Sequence, residues 1–209
     1  MLVGYSFGGL NVRVYNGLYP NEVAGMVLVE SAHEDEPERA PKFYLAPSPR
    51  RYLWFPLHLL LQASARIGLL RLMQPTRSNV QNPSQQSPGL IVAALQRQPK
   101  SVANRSTGIV MPESYAQARA AAGLGDRPLI VLTAGRPPSF GDPEMDRQAA
   151  AYQQVWIYQM QAQLAHVSSR GRQVVVENSD HAIADREPDV VVAAVREVVT
   201  ELRRECSGR

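Results

Sequence analysis

A serine flanked by glycines stands near the beginning of the sequence, in the pentapeptide GYSFG at residues 4–8. Apolar residues precede it and a helical repeat of apolar residues follows, so we expect the serine on a sharp turn from a strand into a helix. Glycines would let the two elements approach closely, and the N–H of Phe7 would point at a developing oxyanion. The pattern predicts Ser6 as a nucleophile. A glycine-rich turn carrying an ordinary serine is the less favoured alternative.

A serine nucleophile needs a base that takes its proton, and histidine is the side chain that titrates near neutral pH. His181 follows an apolar strand pattern at 173–177 and precedes a helical pattern that begins after Pro188. It therefore lies in a loop between the last predicted strand and the terminal helix, and we predict it as the base. Packing or surface roles are favoured for the other three histidines, which are His33, His58 and His166.

Strand and helix patterns alternate at both ends of the chain. Apolar runs of strand length occupy 23–30, 128–133 and 173–177, and helical repeats are predicted for 10–18, 149–167 and 188–202. Such alternation predicts an α/β fold with a parallel sheet covered on both faces. The middle of the chain is rich in proline and contains a Gln/Asn/Ser-rich loop. We therefore divide the chain into a core segment 1–35, a helical cap 36–125 and a second core segment 126–209.

Four segments together resemble the α/β-hydrolase superfamily: VGYSFGG, VLVESAHED, PLIVLTAGRP and NSDHAIADREPDVV. They cover roughly residues 1–35 and 126–203, from the fifth strand of that fold onward. The resemblance implies the C-terminal portion of an α/β-hydrolase fold and a carboxylesterase- or lipase-like serine hydrolase. It implies catalytic Ser6 and His181, with the N–H of Phe7 as an oxyanion donor. A serine at this turn argues against the dehalogenase and epoxide-hydrolase branches, which use aspartate there.

The resemblance leaves two candidates for the acid that would orient His181. In the commoner arrangement of the family the acid follows the seventh strand, where this chain has prolines and where Asp142 comes several residues late. In the other arrangement the acid ends the sixth strand, where Glu30 closes the run VLVE. Catalytic groups gather at the carboxyl edge of open α/β sheets. We favour Glu30 and keep Asp142 as the alternative.

The resemblance also implies strands before the nucleophile that this sequence does not contain. The loop that supplies the second oxyanion N–H is missing with them, and losing one such donor costs roughly a hundred- to a thousandfold in turnover. Two explanations fit the missing strands. The sequence is a piece of a longer protein or has a start placed too late, or it is a shortened protein that needs a partner. We favour the first. The alternative function is that of a catalytically impaired protein of this fold with a binding role or no independent role.

Composition argues against several other classes of protein. The 22 Lys and Arg residues against 19 Asp and Glu give a net charge of +3, without a basic block interleaved with aromatics, so we expect no nucleic-acid partner. The single cysteine, Cys206, excludes an internal disulfide. Metal-ligand spacings and phosphate-binding glycine motifs are both lacking in the sequence, so we expect no metal and no cofactor.

The most apolar stretch, residues 52–73, is interrupted by His58, Arg66 and Arg71, so we expect no transmembrane segment. No signal peptide opens the sequence, and a cytoplasmic location is the default expectation. The leucine-rich cap predicts an apolar roof over a small-molecule ester or acyl substrate, with simple packing on the core as the alternative. Lipid hydrolysis at a membrane is a further hypothesis that rests on residues 52–73 alone. The oligomeric state is not predicted.

Overall fold

Continuous apolar runs form the two central strands of the sheet, as expected for strands that are covered on both faces. This computed structural model describes residues 1–42 and 111–208. Every residue is buried in the central strands β2, Met26–Val29, and β3, Leu129–Ala134. The outer strands are β1, Leu2–Tyr5, and β4, Gly171–Val176. All four pair in parallel in the order β1-β2-β3-β4, which confirms the predicted parallel α/β sheet.

Helices alternate with these strands along the chain. The helices of the described residues are α1 (Phe7–Leu18), α2 (Glu36–Arg39), α3 (Met111–Ala120), α4 (Pro143–Val155), α5 (Ala162–Ala165), α6 (Ile183–Arg186) and α7 (Pro188–Ser207). A 3₁₀ turn at Pro20–Glu22 follows α1, and a π-helix at Trp156–Gln161 joins α4 to α5. Proline opens the terminal helix because its fixed φ suits the first helical position and its missing N–H is not needed there.

The core lies on both faces of the sheet, because alternate residues of a strand point to opposite sides. One face joins strand residues to the terminal helix α7 through Val27, Val29, Ile130, Leu132, Ala194 and Val198. The other face joins strand residues to α5 through Met26, Leu28, Leu129, Val131 and Leu164. Since the strands are parallel, their carboxyl ends meet at one edge. The chain leaves β1 there at Ser6, leaves β2 at Glu30 and leaves β4 toward His181.

The chain divides into two compact units, one made of Met1–Leu45 and Glu113–Arg209 and the other of Ala46–Pro112. The four strands all belong to the first unit. Most of the cap predicted for 36–125, including the apolar stretch 52–73, lies outside the described residues, so the cap and its roof over a substrate remain predictions. Within residues 1–42 and 111–208, no helix is both long and apolar enough to cross a membrane.

Helix α1 packs so closely on the loop after β2 that only glycine fits at one of its positions. A Cβ atom on Gly9 would lie 1.8 Å from Ser31 Oγ and 2.5 Å from Ser31 Cβ, and Ser31 is fully buried. Overpacking of this kind costs about 1–3 kcal/mol, which in a protein of this size corresponds to roughly 2–12 °C. Alanine's better helix propensity offsets up to about 1 kcal/mol of this cost. We therefore expect Gly9→Ala to lower the midpoint of thermal unfolding by up to roughly 8 °C in differential scanning calorimetry.

Gly8→Ala is the matched control, one residue earlier in the same helix. A Cβ atom on Gly8 would meet no neighbouring atom of the described chain within 4 Å. Alanine also has a helix propensity about 1 kcal/mol more favourable than glycine. The unfolding midpoint of Gly8→Ala should therefore hold or rise, and an equal fall in both variants would contradict the close packing of Gly9.

Candidate active site

The turn between β1 and α1 presents Ser6 at the carboxyl edge of the sheet. The backbone of Ser6 has a φ of 53°, which a residue other than glycine adopts only when its surroundings hold it there. Its N–H donates to the carbonyl of Val29 at 3.0 Å, and its carbonyl accepts from the N–H groups of Gly9 and Ala32 at 3.0 Å each. The neighbouring strand and loop therefore fix the strained turn that exposes the Ser6 hydroxyl.

The predicted oxyanion donor lies next to that hydroxyl. Phe7 is the first residue of α1, so its N–H is one of the groups that a helix leaves without an intrahelical partner. Close approach of β1 and α1 depends on Gly4, where a Cβ atom would lie 2.7 Å from Val12 Cγ2 and 2.8 Å from the carbonyl oxygen of Gly8. The positive end of the helix is thus held beside Ser6, where negative charge is favoured.

His181 lies within hydrogen-bond distance of the serine, although 175 residues separate them. Its Nε2 is 3.0 Å from Ser6 Oγ. The loop that carries it is tied to β1, because the Tyr5 hydroxyl donates to the His181 carbonyl at 3.0 Å and the two rings lie 5.3 Å apart. Partial burial lowers the pKa of His181 below its usual value, while the charge of Asp180 opposes that shift. The shift favours the neutral ring, which can accept a proton.

Glu30 follows β2 and is buried, with a φ of 43°. Its Oε1 lies 4.0 Å from His181 Nδ1, beyond hydrogen-bond distance, and catalytic contacts of this kind often tighten only when substrate binds. Oε1 also accepts from the indole N–H of Trp156 at 2.9 Å, and Oε2 accepts from the N–H of Ala134 at 2.6 Å. Burial raises the pKa of Glu30 to about 7, against the lowering effect of these two donors.

Asp142, the alternative acid, has another role in the structure. Its carboxylate caps the N-terminus of α4 by accepting from the N–H groups of Glu144 and Met145, each at 2.9 Å. No ion pair joins it to His181 in the part of the chain that the structure describes. The structure thus brings Ser6, His181 and Glu30 together and does not bring Asp142 to them, while their catalytic roles remain predictions.

The two donors to Glu30 carry little signal in the sequence. Trp156 carried only the signal of a residue on a helix face, and the N–H of Ala134 carries no side-chain signal at all. Of the other histidines, His33 is buried and its Nδ1 accepts from the N–H of Asp35 at 3.1 Å, as a packing residue would. No group of three or more His, Cys, Asp and Glu side chains could hold a metal ion within residues 1–42 and 111–208.

Comparison with known proteins gives structural likeness without sequence likeness. No protein-family model matches the chain, and no curated protein matches it. The crystal structure of a protein described as a hydrolytic enzyme of Pseudomonas aeruginosa PAO1 is similar with a TM-score of 0.52 and 17% identity, over 94% of this chain and 62% of that one. A protein described as a lipase of Acinetobacter baumannii AYE gives a TM-score of 0.45 and 16% identity, over 97% and 61%.

This chain therefore spans less than two thirds of the length of either of these structures. Four parallel strands, helices on both faces and the likeness to the Pseudomonas structure agree on one architecture. The chain has the α/β-hydrolase fold.

Proposed function

We propose that this protein is a serine hydrolase that cleaves an ester or a related acyl bond through an acyl-enzyme intermediate. One observation carries the proposal: Ser6 Oγ stands on a strained strand-to-helix turn, 3.0 Å from Nε2 of His181. A hydroxyl is a weak nucleophile at its ordinary pKa, and a base within hydrogen-bond distance is what activates it. The hydrolase names of the structural neighbours fit the proposal but do not carry it.

The proposed reaction has two halves that use the same groups. In the first, His181 takes the proton of Ser6 Oγ as that oxygen attacks the substrate carbonyl, and the Phe7 N–H donates to the oxyanion. The protonated imidazole then gives its proton to the leaving alcohol, and the acyl group stays on Ser6. In the second half, His181 takes a proton from water, which attacks the acyl carbon, and returns the proton to Ser6 Oγ as the acid leaves. Glu30 orients the ring and stabilises its charged form.

The kind of substrate is proposed from the sequence alone. The apolar side chains that suggest a hydrophobic acyl or alcohol group lie in the stretch 52–73, outside the described residues. Short and long p-nitrophenyl esters are therefore the appropriate first substrates, since they differ only in the length of the acyl chain.

Covalent labelling tests the proposal directly. A fluorophosphonate probe is expected to modify the folded chain, and peptide mass spectrometry should place the adduct on Ser6. The denatured chain is the control: it has the same serines but no His181 beside Ser6, so it should remain unlabelled. A folded chain that stays unmodified, or that is modified on other serines to the same extent, would contradict a serine hydrolase and favour the impaired, non-catalytic alternative.

A further inference from the structure

The carboxylate of Glu30 is held through both of its oxygens by groups from distant parts of the chain. Oε2 accepts from the backbone N–H of Ala134, at the end of β3, and Oε1 accepts from the indole N–H of Trp156. The same Oε1 is the atom that lies 4.0 Å from Nδ1 of His181. These two donors together set the direction of the carboxylate, and the indole of Trp156 is the one that holds the oxygen facing the histidine.

Trp156 is itself well fixed. It begins the π-helix that continues α4, and π-helical turns inside helices are frequent at functional sites. Its side chain is buried in a cluster with Tyr152 and Met160, and the rings of Tyr152 and Trp156 lie 6.1 Å apart. A tryptophan N–H in a buried cluster needs an acceptor, and here the acceptor is the carboxylate of Glu30.

We propose that Trp156 is a positioning residue of the active site, which aims Oε1 of Glu30 at His181 and favours the charged form of Glu30 over the neutral one. A neutral Glu30 could not stabilise the imidazolium that forms during the reaction, so its charge matters as much as its direction. The inference rests on the proposed serine hydrolase function. It goes beyond that function by assigning a role to a residue whose indole N–H donates to Glu30.

The electrostatic surroundings of Glu30 explain why a donor is needed there. His181 faces Glu30 from the loop after β4, and the negative charges of Asp180, in the same loop, and Glu36, in α2, raise the pKa of Glu30. Burial raises it most, and the N–H groups of Ala134 and Trp156 lower it. Removing one of the two donors therefore raises the pKa of Glu30 further, and less of the carboxylate is charged at neutral pH.

Replacement of Trp156 by β-(3-benzothienyl)alanine tests the inference, because the ring keeps its size while sulfur takes the place of the N–H. A hydrogen bond to a charged group contributes about 1.5–3 kcal/mol, which corresponds to about 1–2 pH units. We expect the acidic limb of the pH profile of kcat/KM to move up by that amount. The loss of kcat/KM relative to the wild type should be roughly tenfold at pH 7 and should shrink toward pH 9. It should result from a lower kcat rather than from a higher KM. Trp156→Phe, which removes the donor with a standard amino acid, should behave in the same way.

Two comparisons separate positioning from mere packing. Met160→Leu disturbs the same buried cluster without removing a donor from Glu30, so the acidic limb should stay in place. In a Glu30→Gln background, the change at Trp156 should have no further effect, since the group through which it acts is gone. A loss that is equal at all pH values, or that persists undiminished in the Glu30→Gln background, would overturn the inference.

A measurement that needs no catalysis distinguishes failure of this inference from failure of the proposed function. Titration of carboxyl-¹³C glutamate by NMR, with Glu30 assigned from the signal that Glu30→Gln removes, should show a higher pKa for Glu30 in both Trp156 variants. If the wild type neither hydrolyses esters nor reacts with the fluorophosphonate, the proposed function fails, whatever Glu30 does. If the pKa of Glu30 does not move, the inference about Trp156 fails, even in an active hydrolase.

Discussion

Replacing His181 with glutamine is expected to lower kcat for ester hydrolysis on the order of a millionfold, the scale seen when a serine hydrolase loses its base. His181 Nε2 lies 3.0 Å from Ser6 Oγ. When the imidazole is removed, the hydroxyl therefore loses the group that would accept its proton. Steady-state hydrolysis of p-nitrophenyl esters measures the effect. Ser6→Ala added to His181→Gln should cost almost nothing further, because nucleophile and base act as a unit.

His166→Gln is the matched control for that experiment. His166 is an exposed histidine at the end of α5, and its backbone N–H bonds within its own helical turn. Replacing this exposed histidine with glutamine should leave kcat within about twofold of the wild-type value, since surface substitutions usually have small effects. A His181→Gln variant that kept a tenth of the wild-type rate would contradict His181 as the base.

Replacing Glu30 with glutamine should lower kcat by roughly ten-thousandfold, as when an amide replaces the acid of a serine protease triad. An amide has nearly the same shape but carries no charge, and only one of its two terminal atoms can accept a hydrogen bond. If its oxygen keeps the hydrogen bond from Trp156, its NH₂ faces the N–H of Ala134. If its NH₂ takes the place of Oε1, it can donate to Nδ1 and favour the wrong tautomer of His181, and the indole N–H loses its acceptor. The fold should survive with a lower unfolding midpoint, because one buried N–H loses its acceptor at a cost of about 1–3 kcal/mol. Kinetics and thermal unfolding, measured on the same sample, separate lost chemistry from lost folding.

Asp142→Asn is the comparison that decides between the two candidate acids. Asparagine caps a helix as well as aspartate does, so α4 should keep its N-terminus and the rate should stay within about twofold of the wild type. If Asp142→Asn lost activity and Glu30→Gln did not, the acid would be Asp142, and the contact between Glu30 and His181 would be a structural one.

Local signals in the sequence were enough to predict the sheet, Ser6 and the loop of His181. Glycines, an apolar strand and a helical repeat are all neighbours of Ser6 in the chain, so its turn could be predicted from a few residues. The strand predicted at 23–30 is shorter in the structure, Met26–Val29. It ends before Glu30 because the positive φ of Glu30 turns the chain out of the extended conformation.

Other features depend on contacts that no local pattern carries. The helix predicted to begin at Ala149 begins at Pro143, because Asp142 caps it. An Asp-Pro pair is the sequence signal of such a helix start. The hydrogen bond from the indole of Trp156 to the carboxylate of Glu30 joins residues 126 positions apart. Such a pairing is set by how the π-helix packs over the sheet edge, which the spacing of apolar residues does not determine.

The backbone hydrogen bonds of Ser6 have a consequence for the local unfolding of the site. The backbone of Ser6 is hydrogen-bonded to Val29 on one side of Glu30 and to Ala32 on the other, so the turn that carries Ser6 and the segment that carries Glu30 are joined twice. Local opening of a protein proceeds in contiguous cooperative units. This geometry predicts that Ser6 and Glu30 lie in one such unit, so an opening that frees the backbone around Glu30 also breaks the hydrogen bonds that hold the strained turn of Ser6. We therefore expect the turn of Ser6 and the segment of Glu30 to exchange their amide hydrogens at similar rates.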